Sequence, residues 1–373
     1  MAKSKFFPAL ATLVGTVIGA GFLGIPYVVS KSGFFMGVIW LILIAAIFLL
    51  VKLYLGEISL RTKGNHQLTG YAARYLGKNG KILMFLAVIF GVYPALLAYL
   101  IGEGKSLSYI FLGTTNYSFV FSIIFWMALS ALTFRGLKAL KKYEKISMII
   151  VLSLVFIIFI MFFPKIKITN LTYTNNDLFA PFGLIMFSFL AFSAMPEVER
   201  ILKGQENLMK KVIILGTLIP LAVYFLFTLV MVGISGQEVN EIATLNMGKF
   251  VSLLGIMTMF TAFFASSLAI RDMFRFDFNL GRFKGWLLSS LIPLALFIIV
   301  YFFNLVGFVQ LLSISGIVSG GMTGILVLIM NLKAKKLGNR KPEYSIKINK
   351  LIILAISLVF ILGVILELLL YIK

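Results

Sequence analysis

The chain has no cysteine and a single histidine, His66. Without cysteine there are no disulfides and no thiolate metal sites. One imidazole, placed in a polar loop, leaves no basis for a histidine-built zinc site or a Ser–His–Asp triad. Acidic residues are scarce as well, 13 against 34 basic ones, and no cluster of polar catalytic residues stands out as a membrane enzyme would require. No G-x-x-x-x-G-K-[ST] loop occurs, which excludes an ATP-driven pump, and no ring-forming filter motif points to a channel. Long polar segments are also missing. The longest connections, 59–81, 272–285 and 333–349 on one side and 165–179 and 235–248 on the other, are too short to bury cores of their own.

What the chain has instead is apolar residues, 61% of its 373, where soluble domains run nearer half. Runs of bilayer-spanning length recur from end to end. Eleven are expected: 6–31, 34–58, 82–111, 117–134, 145–164, 180–199, 210–234, 249–271, 286–304, 306–332 and 350–372. The first has the basic start and small residues of a secretory signal, but ten further spans follow, so it reads as an uncleaved helix. Residues 1–373 then form one transmembrane domain. The stretch LTGYAARYLG within 59–81 suggests a short interfacial helix.

The net charge of +21 does not point to nucleic acid, because the basic residues are sorted by side. Counting from a cytoplasmic N-terminus, 27 of the 34 fall on cytoplasmic segments, from Lys3 and Lys5 to Lys347 and Lys350. Only Lys31, Lys165, Lys167, Lys249 and Lys373 fall opposite, while Lys52 and Lys105 lie within or near spans. The positive-inside rule therefore places the N-terminus inside and the C-terminus outside. The basic loops are expected to face anionic lipid.

The first span is interrupted. GTVIGAGFLGIP, Gly15 to Pro26, carries Gly15, Gly19, Gly21 and Gly24 ahead of the proline. Glycines weaken a helix and proline removes a donor and clashes with the preceding turn. Broken backbone survives in lipid only where protein or a water-filled cavity satisfies it, so the break marks a ligand site. Close helix packing through small residues is the alternative use of these glycines. The sixth span has its own irregular stretch, SFLAFSAMPEVER, Ser188 to Arg200, ending near Pro196. Pro26 and Pro196 are five spans apart, and an odd number of spans inverts the second half. The expected architecture is all-α, with two inverted five-helix repeats (6–164 and 180–332) and one extra helix (350–372). Two unrelated proline kinks are the other reading.

Three segments resemble the amino acid–polyamine–organocation superfamily, in particular its amino acid/auxin permease branch with the bacterial aromatic amino acid permeases. GTVIGAGFLGIPYVVSKSGF (Gly15 to Phe34) is similar to that branch's G-T-x-I-G-A-G-x-L-x-x-P pattern. YPALLAYLIGEG (Tyr93 to Gly104) is similar to Y-G-x-L-L-A-Y, with Pro94 in place of the usual glycine. FSFLAFSAMPEV (Phe187 to Val198) is similar to the sixth-helix pattern ending in I-P-E. The resemblance implies the leucine-transporter-like fold, with helices one and six unwound at its centre, and secondary active transport of amino acids.

An amino acid zwitterion needs partners of both signs. Its carboxylate is expected on the N–H groups of Ala20, Gly21 and Phe22, where the first helix restarts. Its ammonium is expected on carbonyls freed near Thr16 and Ile18 and from Phe187 to Leu190, with Gly19 and Gly21 admitting the ligand to the backbone. Phe189, Phe192, Ser193, Tyr93, Tyr99 and Phe263 or Phe264 are candidate walls. No acid lies in either break, which favours neutral substrates, large apolar or aromatic ones included. Na+ or H+ is the expected coupling ion, and no other cofactor is implied. By resemblance to sodium-coupled relatives, Ala262 and Ser266 would face Gly15 and Ile18. Carbonyls and a hydroxyl there suit a hard cation, though Ala265 stands where a second hydroxyl is common. A serine bonded back to its own helix is the competing reading. Proton coupling needs a titratable group within the membrane, and the candidates are Lys52, Glu57, Glu103, Lys105, Glu197, Glu199 and Glu367. Glu197 and Glu199 beside Arg200 read as a cytoplasmic gate or as an ordinary interfacial cluster. The main expectation is an ion-coupled amino acid transporter, the alternative an amino acid sensor on the same fold.

Overall fold

The computed structural model of the protein describes residues 4–64, 66–135, 140–175 and 177–372, and only the backbone of 140–145, 147, 276 and 367–372. Lys3, Lys138 and Lys373 lie outside the described residues, as do the side chains of Lys141, Lys142, Lys145 and Glu367. The described residues are helical, with no strand among them. This is what lipid imposes on long apolar runs, since a helix satisfies its own backbone.

The first span is divided into α1 (Phe6–Val17), a 3-10 turn (Ala20–Leu23) and α2 (Ile25–Ser32). The second to fifth are α3 (Phe34–Leu60), α4 (Leu68–Leu112), α5 (Ser118–Arg135) and α6 (Leu140–Phe162). After the short α7 (Thr169–Thr172), the sixth span is again divided, into α8 (Pro181–Ser188), a 3-10 turn (Phe192–Ala194) and α9 (Met195–Ile201). Then come α10 (Met209–Ser235), α11 (Lys249–Asp277) and α12 (Arg282–Phe303). The tenth span comprises α13 (Phe308–Ser315), a π-helical turn (Gly316–Gly320) and α14 (Gly321–Leu337), and α15 (Lys350–Ile372) closes the chain.

Among the described residues nine helical stretches are long and apolar enough to cross a membrane. The two other expected spans are the interrupted first and the last, which appear as shorter apolar helices. The twelve residues of α1 rise only about 18 Å, short of a hydrocarbon core about 30 Å thick. Two of the expected boundaries are marked by turns of the backbone. α4 is two helices joined at a kink at Gly77, the expected interfacial helix before it and the third span after it. Gly77 itself is not helical, at φ 74° and ψ −163°, a conformation that only glycine takes up freely. The close junction of the ninth and tenth spans is real, because Asn304 turns left-handed at φ 48° and ends α12.

The core follows the broken helices. α1 packs on α10, α6 and α9, and α8 packs on α13, α2 and α3. Phe22, Phe48, Lys52, Phe189 and Tyr224 are among the largest wholly buried side chains. The outer surface is apolar, with Phe35, Phe303 and Leu351 largely exposed, as suits a lipid-facing wall.

Residues 338–349 form a strap across one end of α3. Tyr344 Oη donates to Leu53 O at 2.7 Å and Tyr54 Oη to Lys347 O at 3.1 Å. Glu57, wholly buried, accepts from Ser345 Oγ at 2.7 Å and from the Ile346 N–H at 3.0 Å. It also pairs with Arg61 at 2.9 Å and Lys335 at 3.3 Å. Burial first, and the Glu57 charge second, hold the Tyr344 phenol well above its ordinary range.

Candidate functional site: two broken helices in contact

The prolines do not make the breaks. Pro26 and Pro196 each sit in the first turn of a restarting helix, where a missing N–H costs nothing. In the first span the helix stops at Ile18 (ψ 71°) and Gly19 turns extended, at φ −95° and ψ −155°. In the sixth, α8 ends at Phe189, and Ala191 adopts a left-handed conformation at φ 45°.

The two breaks touch. A Cβ at Gly21 would meet Ser188 Oγ at 2.6 Å and Phe187 Cδ1 at 2.8 Å, so glycine is what lets the 3-10 turn lie against the end of α8. Gly24 is similarly tight, with Leu184 Cδ2 at 2.8 Å. Tyr224 on α10 ties the breaks together. Its hydroxyl lies 2.6 Å from Val17 O and 2.9 Å from Ser188 O, the carbonyl ends of α1 and α8. Phe22 stacks on the Tyr224 ring at 6.0 Å, and Phe189 meets it edge-on at 5.2 Å.

The expected carboxylate donors, Ala20, Gly21 and Phe22, are buried at the start of the 3-10 turn, where no preceding turn supplies acceptors. Among the expected carbonyls, Phe187 O accepts from the Leu190 N–H at 3.1 Å. Thr16 is exposed and donates back to Thr12 O at 2.7 Å. Phe189 and Phe192 are buried, Phe187 and Leu190 half-buried, and Ser193 exposed. Phe192 stacks on Phe48 of α3 at 5.4 Å. Tyr93 has another neighbourhood: its hydroxyl donates to Leu288 O at 3.1 Å, and its ring borders a small cluster of Ile270, Met273 and Phe274.

At the expected ion site, a Cβ on Gly19 would stand 3.5 Å from Ala262 Cβ, so α11 does face the first break. Gly15 and Ser266 are half-buried and Ile18 buried. Ser266 also interacts with Tyr99 on α4. Phe263 and Phe264 are buried core residues.

Three features escape the sequence reading. Tyr224 is one, and a lone tyrosine in an apolar run gives no signal. The π-helical turn is another. A Cβ at Gly316 would meet Phe187 N at 2.6 Å, so this turn lies directly on α8, and GIVSGG was its visible trace. The third is Lys52, which the sequence offers only among seven titratable candidates. It is wholly buried, with its Nζ 6.0 Å from the centre of the Phe189 ring.

Known proteins bear on this geometry. The chain matches the tryptophan/tyrosine permease family over residues 2–369. It is 25% identical to the tyrosine-specific transport system 2 of Haemophilus influenzae over 354 residues, covering 85% of each chain. It is 24% identical to tyrosine-specific transport system 1 of the same organism, covering 76% of this chain and 77% of the relative. It is 23% identical to glutamine transporter 2 of Aliivibrio fischeri over 250 residues, which cover 65% of this chain and 64% of that transporter. These relatives are membrane transport proteins and not enzymes. A bundle of apolar helices with two interrupted ones meeting at their breaks, matched over nearly its whole length, belongs to the tryptophan/tyrosine permease family.

Proposed function

We propose that the protein is a secondary active transporter of neutral amino acids, large apolar or aromatic ones included, working by ion-coupled alternating access in the plasma membrane. The observation that carries this reading is the contact of the two breaks, at Gly21 against Ser188 and Phe187 and under the shared hydroxyl of Tyr224. Interrupted helices meeting inside a membrane protein offer helix N-termini to an anionic group and carbonyl ends to a cationic one, which is what a zwitterion needs.

In this reading the eleven apolar segments all span the membrane as two inverted five-helix repeats and one added helix, the arrangement of the wider amino acid–polyamine–organocation superfamily. The N-terminus is cytoplasmic and the C-terminus outside. The substrate carboxylate meets the N–H groups of Ala20, Gly21 and Phe22, and Phe187, Phe189 and Phe192 supply an apolar wall. The absence of an acid in either break supports neutral side chains, and tyrosine and glutamine, for which the relatives are named, are neutral. The coupling ion is Na+ or H+. Carbonyls of Gly15 and Ile18 beside Ala262 and Ser266 are the sodium candidates, supported by the approach of Gly19 to Ala262 and weakened by Ala265, which stands where a second hydroxyl is common.

The test is uptake of labelled tyrosine, tryptophan and glutamine into proteoliposomes under separate inward gradients of sodium and of protons. Accumulation under either gradient supports the transporter. Binding of these amino acids without uptake or exchange would replace it with the sensor reading.

A further inference from the structure

Lys52 stands at the middle of a surface that has no reason to hold a charge. It is wholly buried within α3, and among the described residues its Nζ has no hydrogen-bond partner. Its neighbours along one face of α3 define where it points. Phe48, one turn before it, stacks on Phe192 in the sixth-span break. Gly56, one turn after it, lies close to Tyr344, Ile213 and Met195. The Nζ itself stands over the ring of Phe189, the residue that ends α8. Lys52 therefore lies against the break in the sixth span, beside the carbonyl end of a half-helix, which carries partial negative charge.

The charged groups on the elements around it are otherwise occupied or lie towards the helix ends. On α3 itself Glu57 binds Arg61, Lys335, Ser345 and the Ile346 amide. Tyr224 on α10 serves Val17 and Ser188, and Lys210 and Lys211 occupy the first turn of that helix. On α14, Asn331 donates to Tyr54 O, Lys335 is committed to Glu57, and Lys333 and Lys336 stand with it in the last turns. Glu197, Glu199 and Arg200 are on α9, with Glu199 in the fields of Arg340, Arg200, Lys203 and Glu206. On α2, Lys31 lies over the Tyr27 ring. Tyr344 of the strap donates to Leu53 O, and the Lys347 carbonyl accepts from Tyr54. None of these groups bonds Lys52 Nζ.

A buried ammonium with no partner is costly, whereas a buried amine among apolar rings is not. The packing seen here accommodates the neutral amine. We infer that Lys52 is a proton-binding site of the transport cycle: a neutral amine when α3 closes on the sixth-span break, as here, and an ammonium held by the carbonyls of residues 188–190 when the break opens. One proton is taken up at Nζ from the side to which the break opens, and the same proton leaves on the other side when the face closes again. The structural change that exposes the substrate site also exposes the amine, which links the two movements. This rests on the transporter reading and deepens it. Glu103, also buried with both carboxylate oxygens unpartnered, is flanked by glycines that face Met259, Phe308 and Ser122. It has no comparable place at a break.

The test uses purified protein in proteoliposomes and separates exchange from driven accumulation. Counterflow of labelled tyrosine, tryptophan or glutamine against the same unlabelled amino acid needs no driving ion. The wild type is expected to show counterflow, accumulation under an inward proton gradient, and substrate-linked acidification of an entrapped pH dye. K52M, of similar size and apolar, should keep counterflow within about threefold while proton-driven accumulation falls at least about tenfold and the dye signal disappears. K52R, which stays charged, should lose the dye signal too and slow counterflow, and it serves if K52M does not fold. Accumulation and acidification by K52M equal to wild type would overturn the role of Lys52. So would loss of counterflow in K52M together with accumulation, which would make the residue part of substrate binding. Accumulation by the wild type under sodium alone, with no proton movement, would overturn it and leave the transporter standing. Absence of counterflow in the wild type would instead remove the transporter reading itself.

Discussion

The break in the first span and the break in the sixth are built by different means. The first is made of glycines, and at Gly21 the reason is steric: any side chain would collide with Ser188 and Phe187. The sixth contains no glycine between Ser188 and Ala194. It is held by Ala191 in a left-handed conformation, by Phe189 and Phe192 packed on Tyr224 and Phe48, and by Lys52 beneath it. One break is thus specified by the space it must fit into, the other by the side chains that surround it. The lesson is that an irregular helix is visible in a sequence only when the backbone itself is the tight-fitting part.

The strongest test of this contrast is Gly21→Val. Its branched side chain would have to enter space already held by Ser188 and Phe187. Overpacking of about 1–3 kcal/mol concentrated on the contact between breaks should reduce substrate affinity by roughly ten- to a hundredfold, with the variant still extracted as a monodisperse peak. Equilibrium binding of labelled tyrosine checks it, and wild-type binding would remove Gly21 from the site. Next comes Tyr224→Phe, which deletes the hydroxyl joining the breaks while keeping the ring. Two buried carbonyls lose a shared donor, worth about 1–3 kcal/mol, so thermal stability should fall and uptake should slow by roughly tenfold. Uptake and melting unchanged in this variant would mean that the breaks are not coupled through it.

Smaller effects sharpen the comparison. Ala191→Gly should stabilise the protein slightly, because a left-handed alanine costs about 1 kcal/mol that glycine does not. A rise of a few degrees in melting temperature is expected, the opposite of what adding a side chain does at Gly21. The smallest effect is expected for Gly19→Ala. Its new methyl would meet Ala262 at 3.5 Å, an ordinary contact, and Gly19 has a negative φ. Melting should stay within about 1 °C, since surface-like changes of this kind lie within about 0.5 kcal/mol. A large loss of fold at Gly19 would show that the first break is less evenly divided between tight and open positions than its contacts imply.

Nine of the eleven expected spans were legible as helices of crossing length among the described residues, because lipid leaves long apolar runs a single conformation. The Gly15–Pro26 break was legible from its glycines, although the prolines were misread as breakers when they are starters of the restarting helices. Contact between the breaks followed from their five-span separation only as an expectation. Tyr224 and Ala191 were not legible, because each looks like its neighbours until tertiary packing singles it out, and Lys52 was legible only as one of seven titratable candidates. Tyr93, an aromatic residue in a promising motif, turns its hydroxyl to Leu288 O. The interfacial helix before the third span was legible from LTGYAARYLG, and Gly77 separates the two.

The hydroxyl of Tyr224 has one proton and two carbonyl oxygens within reach, Val17 O and Ser188 O. It can satisfy only one of them fully at a time. Lengthening the bond on one side strengthens it on the other, so the two half-helices compete for a single donor. A small tilt of either one is then met by a handover and not by a loss. In the transporter reading, a donor that stays bonded throughout lowers the cost of moving either half-helix.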